Sequence, residues 1–386
     1  MCAIEYMTPG EQFEVIFERP PKAVVRAPGR VNLIGEHIDY LDGLVMPVAI
    51  DRHLHMTVAP STRKTSRVMS PVSGTVEISM NNLQPCFGQK SWLNYVVGVL
   101  ALLQQRGMRI PNFDATILSN LPMGAGLSSS AALETATALC VEVLTGEKMD
   151  PVDRARLCQK AEHDFAGVPC GIMDQLAVGA GKAGHALRID CRDISMQSVP
   201  LPDDMVILVA DTLVKHSLAD GEYRKRRVDC EEARDIIGVD SLRDANLPMV
   251  ETHRDQLGDQ RFRRARHAVT EMERVRKFTR ALESSDTATI WKLMLASHES
   301  LRKDFEVSSK ELDVLVEAAY DFGYERGLVG SRMTGGGFGG STINLVRKDA
   351  AEELKQHLHS AFLKHFKHEV KPFISQAVDG ARIMEA

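Results

Sequence analysis

What the sequence lacks narrows its function before any motif is read. It has no basic surplus: 47 Lys and Arg stand against 52 Asp and Glu, a formal net charge of -5. Binding a phosphate backbone needs a basic face, so nucleic acid is not expected as a partner. It has no CxxC pair. Its seven cysteines, Cys2, Cys86, Cys140, Cys158, Cys170, Cys191 and Cys230, are odd in number and widely spread, which fits reduced thiols better than a disulfide scaffold or a zinc site. No apolar run approaches the roughly 18 residues of a membrane span, and no charged-apolar-small leader opens the chain. A soluble cytoplasmic protein with no membrane partner is expected. No internal repeat, low-complexity segment or obvious linker divides the 386 residues, a length that suits two domains or one large one.

What is present is ordinary in bulk: 44% hydrophobic and 26% charged residues, as in soluble globular proteins. Basic clusters at 224–227 (RKRR) and 261–266 (RFRRAR) are interleaved or followed by acids such as Asp229, Glu231 and Glu232, and read as solvated helix faces. Residues 23–58 alternate β-branched runs with turn signals, predicting an N-terminal sheet. Helical spacing with a glycine stop covers 91–107. A strand at FDATILSN leads through a glycine loop into a long helix, and further helices are expected at about 151–166 and 171–178. Strands return from about 186, charged helices fill 221–237 and 262–303, and the end alternates helices with the strand TINLV. The pattern predicts an α+β protein of two lobes, with a boundary near residue 190.

Residues 26–43, RAPGRVNLIGEHIDYLDG, are the most informative stretch. Arg30 is expected on a Pro28–Gly29 turn, Val31 to Ile34 form a short apolar run, and Glu36, His37 and Asp39 crowd one turn after Gly35. A cation and polar groups on both sides of a buried strand suit gripping a small polyhydroxy compound, because each hydroxyl needs a placed partner. A buried polar group left unpaired costs about 1–3 kcal/mol. A surface hairpin with ordinary charges is the plain alternative.

A second signal is the loop PMGAGLSSS at 122–130, running into a helix. Its glycines let backbone approach an anion, and a helix N-terminus offers free N–H groups and a positive dipole end. Ser128, Ser129 and Ser130 add hydroxyls for phosphate oxygens or Mg²⁺, although serine N-capping alone explains one of them. No lysine follows, so this is not a Walker loop. The run GGGFGG at 335–340 fits G-x-G-x-x-G, but the following STINLV reads as a strand where a dinucleotide fold needs a helix. A glycine loop pressed against a ligand or a neighbouring backbone remains. His253-Arg254-Asp255 and Asp321-Phe322-Gly323 mimic protein-kinase triplets in the wrong order relative to the glycines, and are read as chance.

Taken together, GRVNLIGEHIDY at 29–40, LPMGAGLSSSAALE at 121–134, AEHDFAGVPCGIMDQ at 161–175 and MTGGGFGGSTINLV at 333–346 resemble the galactokinase family of the GHMP small-molecule kinase superfamily. Further matches, RRARH at 263–267 and SHESLRKDFEVSSKELD at 297–313, lie between the motifs. The resemblance implies a two-lobed α+β fold, with a ribosomal-protein-like N-terminal lobe over 1–190 and a ferredoxin-like C-terminal lobe over 191–386. It implies transfer of the ATP γ-phosphoryl group to the anomeric hydroxyl of galactose, with Mg²⁺, giving galactose 1-phosphate and ADP. By matching positions, Asp174 would be the base and Arg30 its partner, and Ser130 and Glu162 would hold the metal. Glu36, His37, Asp39, Gly171 and Tyr223 would bind sugar. Gly124, Ala125, Gly126, Leu127, Ser128, Ser129 and Ser130 would cradle the ATP phosphates, with Trp92 and Tyr95 on the adenine side. A monomer is expected. Two departures stand out: Ile38 where threonine is common, which touches sugar identity, and Ser341 where cysteine is usual. Kinases for N-acetylgalactosamine or galacturonate, and a non-catalytic sugar and ATP sensor of the same fold, are the alternatives. The intact GLSSSAA argues against the sensor.

Overall fold

A computed structural model describes residues 7–215 and 219–384. Its strands are β1 (Ala23–Asn32), β2 (Leu44–Val45), β3 (Pro47–Pro60), β4 (Ser66–Ser70), β5 (Gly74–Ile78), β6 (Phe113–Ser119) and β7 (His185–Asp190). They continue with β8 (Ser195–Pro200), β9 (Met205–Lys215), β10 (Leu328–Thr334), β11 (Gly339–Arg347), β12 (Lys371–Ser375) and β13 (Arg382–Met384). Three sheets result, with strand orders β13-β1-β3-β6-β4-β5, β10-β11-β9-β12 and β2-β7-β8. The last strand thus returns to the edge of the first sheet, and the expected division near 190 falls between β7 and β8, neighbours in the small sheet. Among the described residues no helix is long and apolar enough to cross a membrane. Cys86, Cys140, Cys158, Cys170, Cys191 and Cys230 are free thiols; Cys2 lies outside the described residues.

The helices that position the site are α1 (Pro9–Phe17), α2 (Asn94–Gln105), α3 (Ser129–Thr145), α4 (Pro151–Ala161) and α5 (Met173–Ala180). They are followed by α6 (Ala219–Ile237), α7 (Leu247–Thr252), α8 (Arg254–Glu283), α9 (Thr287–Ser300), α10 (Lys310–Phe322) and α11 (Ala351–His365). Of these, α3 runs AALETATALCV nearly without charge and is buried along most of its length. Such a helix must lie inside, and it packs on β1 and β3. The helix expected over 151–166 ends its α-helical part at Ala161, and residues Glu162–Ala166 form a π-turn. Such turns recur at functional sites.

Two expectations are corrected. Pro28–Gly29 is not a turn: β1 runs through it, with a register shift against β3 between the two residues. Proline is tolerated in a strand at such a bulge, and glycine is required because a Cβ there would lie 2.8 Å from the Leu127 carbonyl oxygen. This close approach lets the Arg30 N–H donate to that carbonyl at 3.1 Å. The basic clusters are also not wholly solvated. Arg226 and Arg264 are buried; Arg226 donates to the Phe305 and Glu306 carbonyls, and Arg264 pairs with Glu306 at 2.6 Å. Interleaved acids and backbone carbonyls satisfied these cations internally, which a charge count does not distinguish from solvation.

Phe305, fully buried, stacks on His37 at 4.8 Å and on His267 at 4.6 Å between ring centroids. It supports the Glu36–Asp39 turn from the second half of the chain. Phe305→Ala should cost about 3–5 kcal/mol of stability, read by denaturant unfolding; a loss below about 1 kcal/mol would mean that the ring is not the support described.

Candidate active site

A polar pocket of about 160 Å³ gathers Arg30, Glu36, His37, Asp39, Glu162, Asp174 and Tyr223, together with Val168, Cys170, Met173, Gly335 and Gly336. These residues come from strand β1, the turn after it, the π-turn, the N-terminus of α5, α6 and the glycine run. At its centre Asp174, in the first turn of α5, accepts a two-pronged bond from Arg30: Nε to Oδ1 at 2.8 Å and Nη2 to Oδ2 at 2.7 Å. The remaining Arg30 nitrogen, Nη1, donates to the Gly126 carbonyl at 2.6 Å. Burial weakens the Arg30 cation, but Asp174 and Glu36 outweigh it and raise its pKa. The guanidinium is thus fixed as a charge between the carboxylate and the glycine-serine loop.

That loop turns on left-handed backbone. Gly124 and Gly126 have positive φ, as does Ser128 at φ 58°. Ser128 is the N-cap of α3, yet its side chain makes no capping bond; its hydroxyl donates instead to Asp174 Oδ2. Capping therefore does not account for this serine. Ser129 and Ser130 open α3 and are half-buried, Gly124 is exposed, and Ala125 and Leu127 are buried. The second glycine run presses on this loop: a Cβ on Gly335 would sit 3.0 Å from the Gly126 carbonyl oxygen, and one on Gly340 would sit 3.2 Å from that of Ala125. Ser341, fully buried, donates to the Ala125 carbonyl at 2.8 Å. The departure from cysteine thus places a stronger donor on the same loop. This run is a backbone-packing device between β10 and β11, followed by a strand as expected.

The turn Glu36–Asp39 divides its work. Glu36 Oε1 accepts from Thr334 Oγ1 at 2.9 Å and from the Gly335 N–H at 2.7 Å, with the fully buried Arg332 at 3.1 Å. Both His37 ring nitrogens are engaged: Nε2 with the Gly336 carbonyl at 3.2 Å and Nδ1 with the Tyr40 hydroxyl at 3.1 Å. Since a carbonyl only accepts, Nε2 carries the proton and Nδ1 accepts. Burial, with repulsion from His267, drives the His37 pKa down to about 3 and keeps the ring neutral. Asp39 is pushed up to about 7 by burial and by the charges of Asp174 and Glu36. Gly171 is a glycine because a Cβ there would overlap the Asp39 carboxylate. Ile38 does not line this pocket; it is fully buried in the hydrophobic core.

Four groups escaped the sequence reading. Gln175 donates to Glu162 at 2.9 Å and to Glu134 at 3.2 Å. Glu134 is fully buried, and burial with the Glu162 charge raises its pKa well above the usual range. Its signal was an acid within the apolar stretch AALETATALCV. Arg332 and Thr334, on β10, carried none. Trp92 lies in a 3₁₀ segment before α2 and Tyr95 in α2 itself; neither lines the pocket around Asp174.

With the geometry in place, comparison with known proteins defines the class. The GHMP kinases N terminal domain model matches residues 94–182 and the GHMP kinases C terminal model matches 278–365; the galactokinase galactose-binding signature matches 11–60. A mevalonate kinase structure, 18% identical, shares the fold with a TM-score of 0.64 over 92% of this chain and 99% of its own. This is a GHMP kinase fold. Galactokinase of Bos taurus is 42% identical over 379 residues, covering 95% of this chain and 94% of its own, and that of Homo sapiens is 41% identical over 382 residues, covering 96% and 95%. The structure of Lactococcus lactis galactokinase complexed with galactose matches with a TM-score of 0.91 at 30% identity, covering 97% and 98%. The chain belongs to the galactokinase family.

The Asp39 shift makes a stability prediction. Its native pKa of about 7 lies above the ordinary 3.8, so between those values the native state holds more protons than the unfolded one and stability falls as pH rises. The neutral His37 and His267, depressed to about 3 and about 4 from 6.5, act in the opposite sense and cost stability as pH falls below about 6.5. Asp39→Asn separates the two. Its melting temperature should exceed that of the unsubstituted protein by more at pH 8 than at pH 5; an equal gain at both, or none, would contradict the assignment.

Proposed function

We propose that this protein is an ATP-dependent sugar-1-kinase that transfers the γ-phosphoryl group of ATP to the anomeric hydroxyl of galactose, giving galactose 1-phosphate and ADP. The observation that carries the reading is the Asp174 carboxylate, held by both prongs of Arg30 in a small polar pocket beside a glycine-serine loop. The full-length likeness to galactokinases supports the choice of sugar. Ile38, the position that touched on sugar identity, points into the core, which leaves no departure in the pocket to favour a related hexose.

Phosphoryl transfer passes through a loose transition state, so positioning and charge neutralisation supply most of the catalysis. On this reading Asp174 accepts the proton of the anomeric hydroxyl, and Arg30 holds the carboxylate in place for that task. Glu36, Asp39, Tyr223 and the backbone at Gly171 hold the sugar hydroxyls. His37, with both nitrogens already engaged, contributes its ring face and fixes the turn. Gly124 to Ser130 receive the ATP phosphates on free N–H groups at the start of α3. Trp92 and Tyr95 take the adenine side; the Trp92 indole N–H is buried without a partner among the described residues.

Ser130 and Glu162 fit a Mg²⁺ ion. Burial and the Asp174 charge push Glu162 up to about 7, so this carboxylate lacks counter-charge. Ser130 bonds to it, which brings one carboxylate and one hydroxyl together. That suits Mg²⁺, which takes one or two carboxylates and fills its shell with phosphate oxygens and water. When bound, it neutralises phosphate charge. The enzyme is read as a cytoplasmic monomer without nucleic-acid or membrane partners.

The test is ADP release with a panel of hexoses. Galactose should be phosphorylated far faster than glucose, its C4 epimer, since misdirected hydroxyls leave site groups unpaired. Asp174→Asn should lower turnover by about 10²–10⁴-fold while keeping the melting temperature and ATP binding. Comparable rates on both sugars would overturn the substrate, and near-normal turnover of a folded Asp174→Asn protein would overturn the base.

A further inference from the structure

A second cleft, of about 460 Å³, shares no lining residue with the pocket around Asp174. It lies where the six-stranded sheet meets the four-stranded one. Arg26 of β1, Arg382 of β13, Met205 and Ile207 of β9 and Lys348, just past β11, line it. Its size is that of a small-molecule site, about 300–1,000 Å³.

Its charge arrangement is unbalanced. Arg26 is half-buried in the middle of β1 and stands in register with Arg382 on one neighbouring strand and His55 on the other. Like charges directly opposed across strands are destabilising. Arg382 has Asp379 at 3.2 Å, but among the described residues the Arg26 side chain has neither a hydrogen bond nor a salt bridge. Burial and Arg382 both lower its pKa, and Asp379 opposes them only in part. The strain extends along the sheet: burial and Arg26 depress His55, and His53 is pushed down to about 4 by burial, Arg26 and His55. His53 Nε2 is buried without a partner. Lys348 is exposed and likewise without an ion pair among the described residues. Two carboxylates, Asp203 and Asp379, line the cleft, and the second is already spent on Arg382 and on the Ala183 N–H.

An anion would relieve this arrangement. Two guanidinium forks and an ammonium favour a tetrahedral oxyanion, which can accept from several donors at once. The amide of Gln376 and the Asp203 carboxylate, also in the lining, offer an acceptor and donor set for hydroxyls. We propose that this cleft binds a small polyol phosphate ester, its phosphoryl group on Arg26, Arg382 and Lys348 and its hydroxyls against Gln376 and Asp203.

Isothermal titration of the full chain with glucose 6-phosphate, in the absence of ATP, tests this. Saturable binding no weaker than the millimolar range is expected, and the Arg26→Gln/Lys348→Gln double variant should bind at least about tenfold more weakly, since charge-assisted bonds are lost. Inorganic phosphate should bind more weakly than the ester. Arg26→Gln alone should melt no lower than the unsubstituted protein, because the like-charge opposition goes with it. Absence of saturable binding, unchanged affinity in the double variant, equal affinity for inorganic phosphate, or a lower melting temperature for Arg26→Gln would each overturn the proposal.

Discussion

The buried Arg30–Asp174 pair is the constraint around which the rest of the site is arranged. The Arg30 side chain is only 6% exposed, while that of Asp174 is 23% exposed and so faces the pocket. A guanidinium removed from water must be fully satisfied, and breaking one side of such a pair typically costs about 3–5 kcal/mol. Arg30 engages each of its three nitrogens, two with Asp174 and one with the Gly126 carbonyl. In doing so it ties strand β1, helix α5 and the loop before α3 to one point. The carboxylate that faces the pocket is therefore oriented by the same contacts that hold the loop.

Backbone approaching backbone is the second device. Gly29, Gly126, Gly335 and Gly340 let β1, the loop before α3 and the β10–β11 connection come together without side chains between them. Peptide groups rather than side chains then line the space where an anion would lie, and peptide N–H groups keep their direction whatever the pH. Around this frame the acids Glu36, Asp39, Glu134 and Glu162 are crowded more closely than stability alone would select. The raised pKa values of Asp39, Glu134 and Glu162 come first from burial, and next from Asp174 for Asp39 and Glu162 and from Glu162 for Glu134. A site that concentrates unrelieved charge in this way is poised for a ligand that relieves it.

How much of this was legible in the sequence follows from what each signal depends on. Periodicity and glycine stops located β6, α2 and α3, because those features are local. The GGGFGG run was rightly denied a dinucleotide role from the strand after it. The Pro28–Gly29 bulge was misread as a turn, since proline and glycine mark both and only the partner strand β3 distinguishes them. Arg226 and Arg264 were misread as solvated, because their carbonyl and carboxylate partners lie about forty or eighty positions away. The partners of the His37 ring, Tyr40 and Gly336, the second nearly three hundred residues distant, were not read either. Long-range pairing of polar atoms leaves little local trace, and that is where the reading ran short.

The central claim is that Arg30 and Asp174 act as one unit. A double-mutant cycle on kcat/KM for galactose, using Arg30→Gln, Asp174→Asn and the combination, measures it most directly. Residues that act as a unit are strongly non-additive, so the double variant should be hardly slower than the worse of the two single variants. Losses that simply multiply would mean that the two side chains work independently, and would contradict the account.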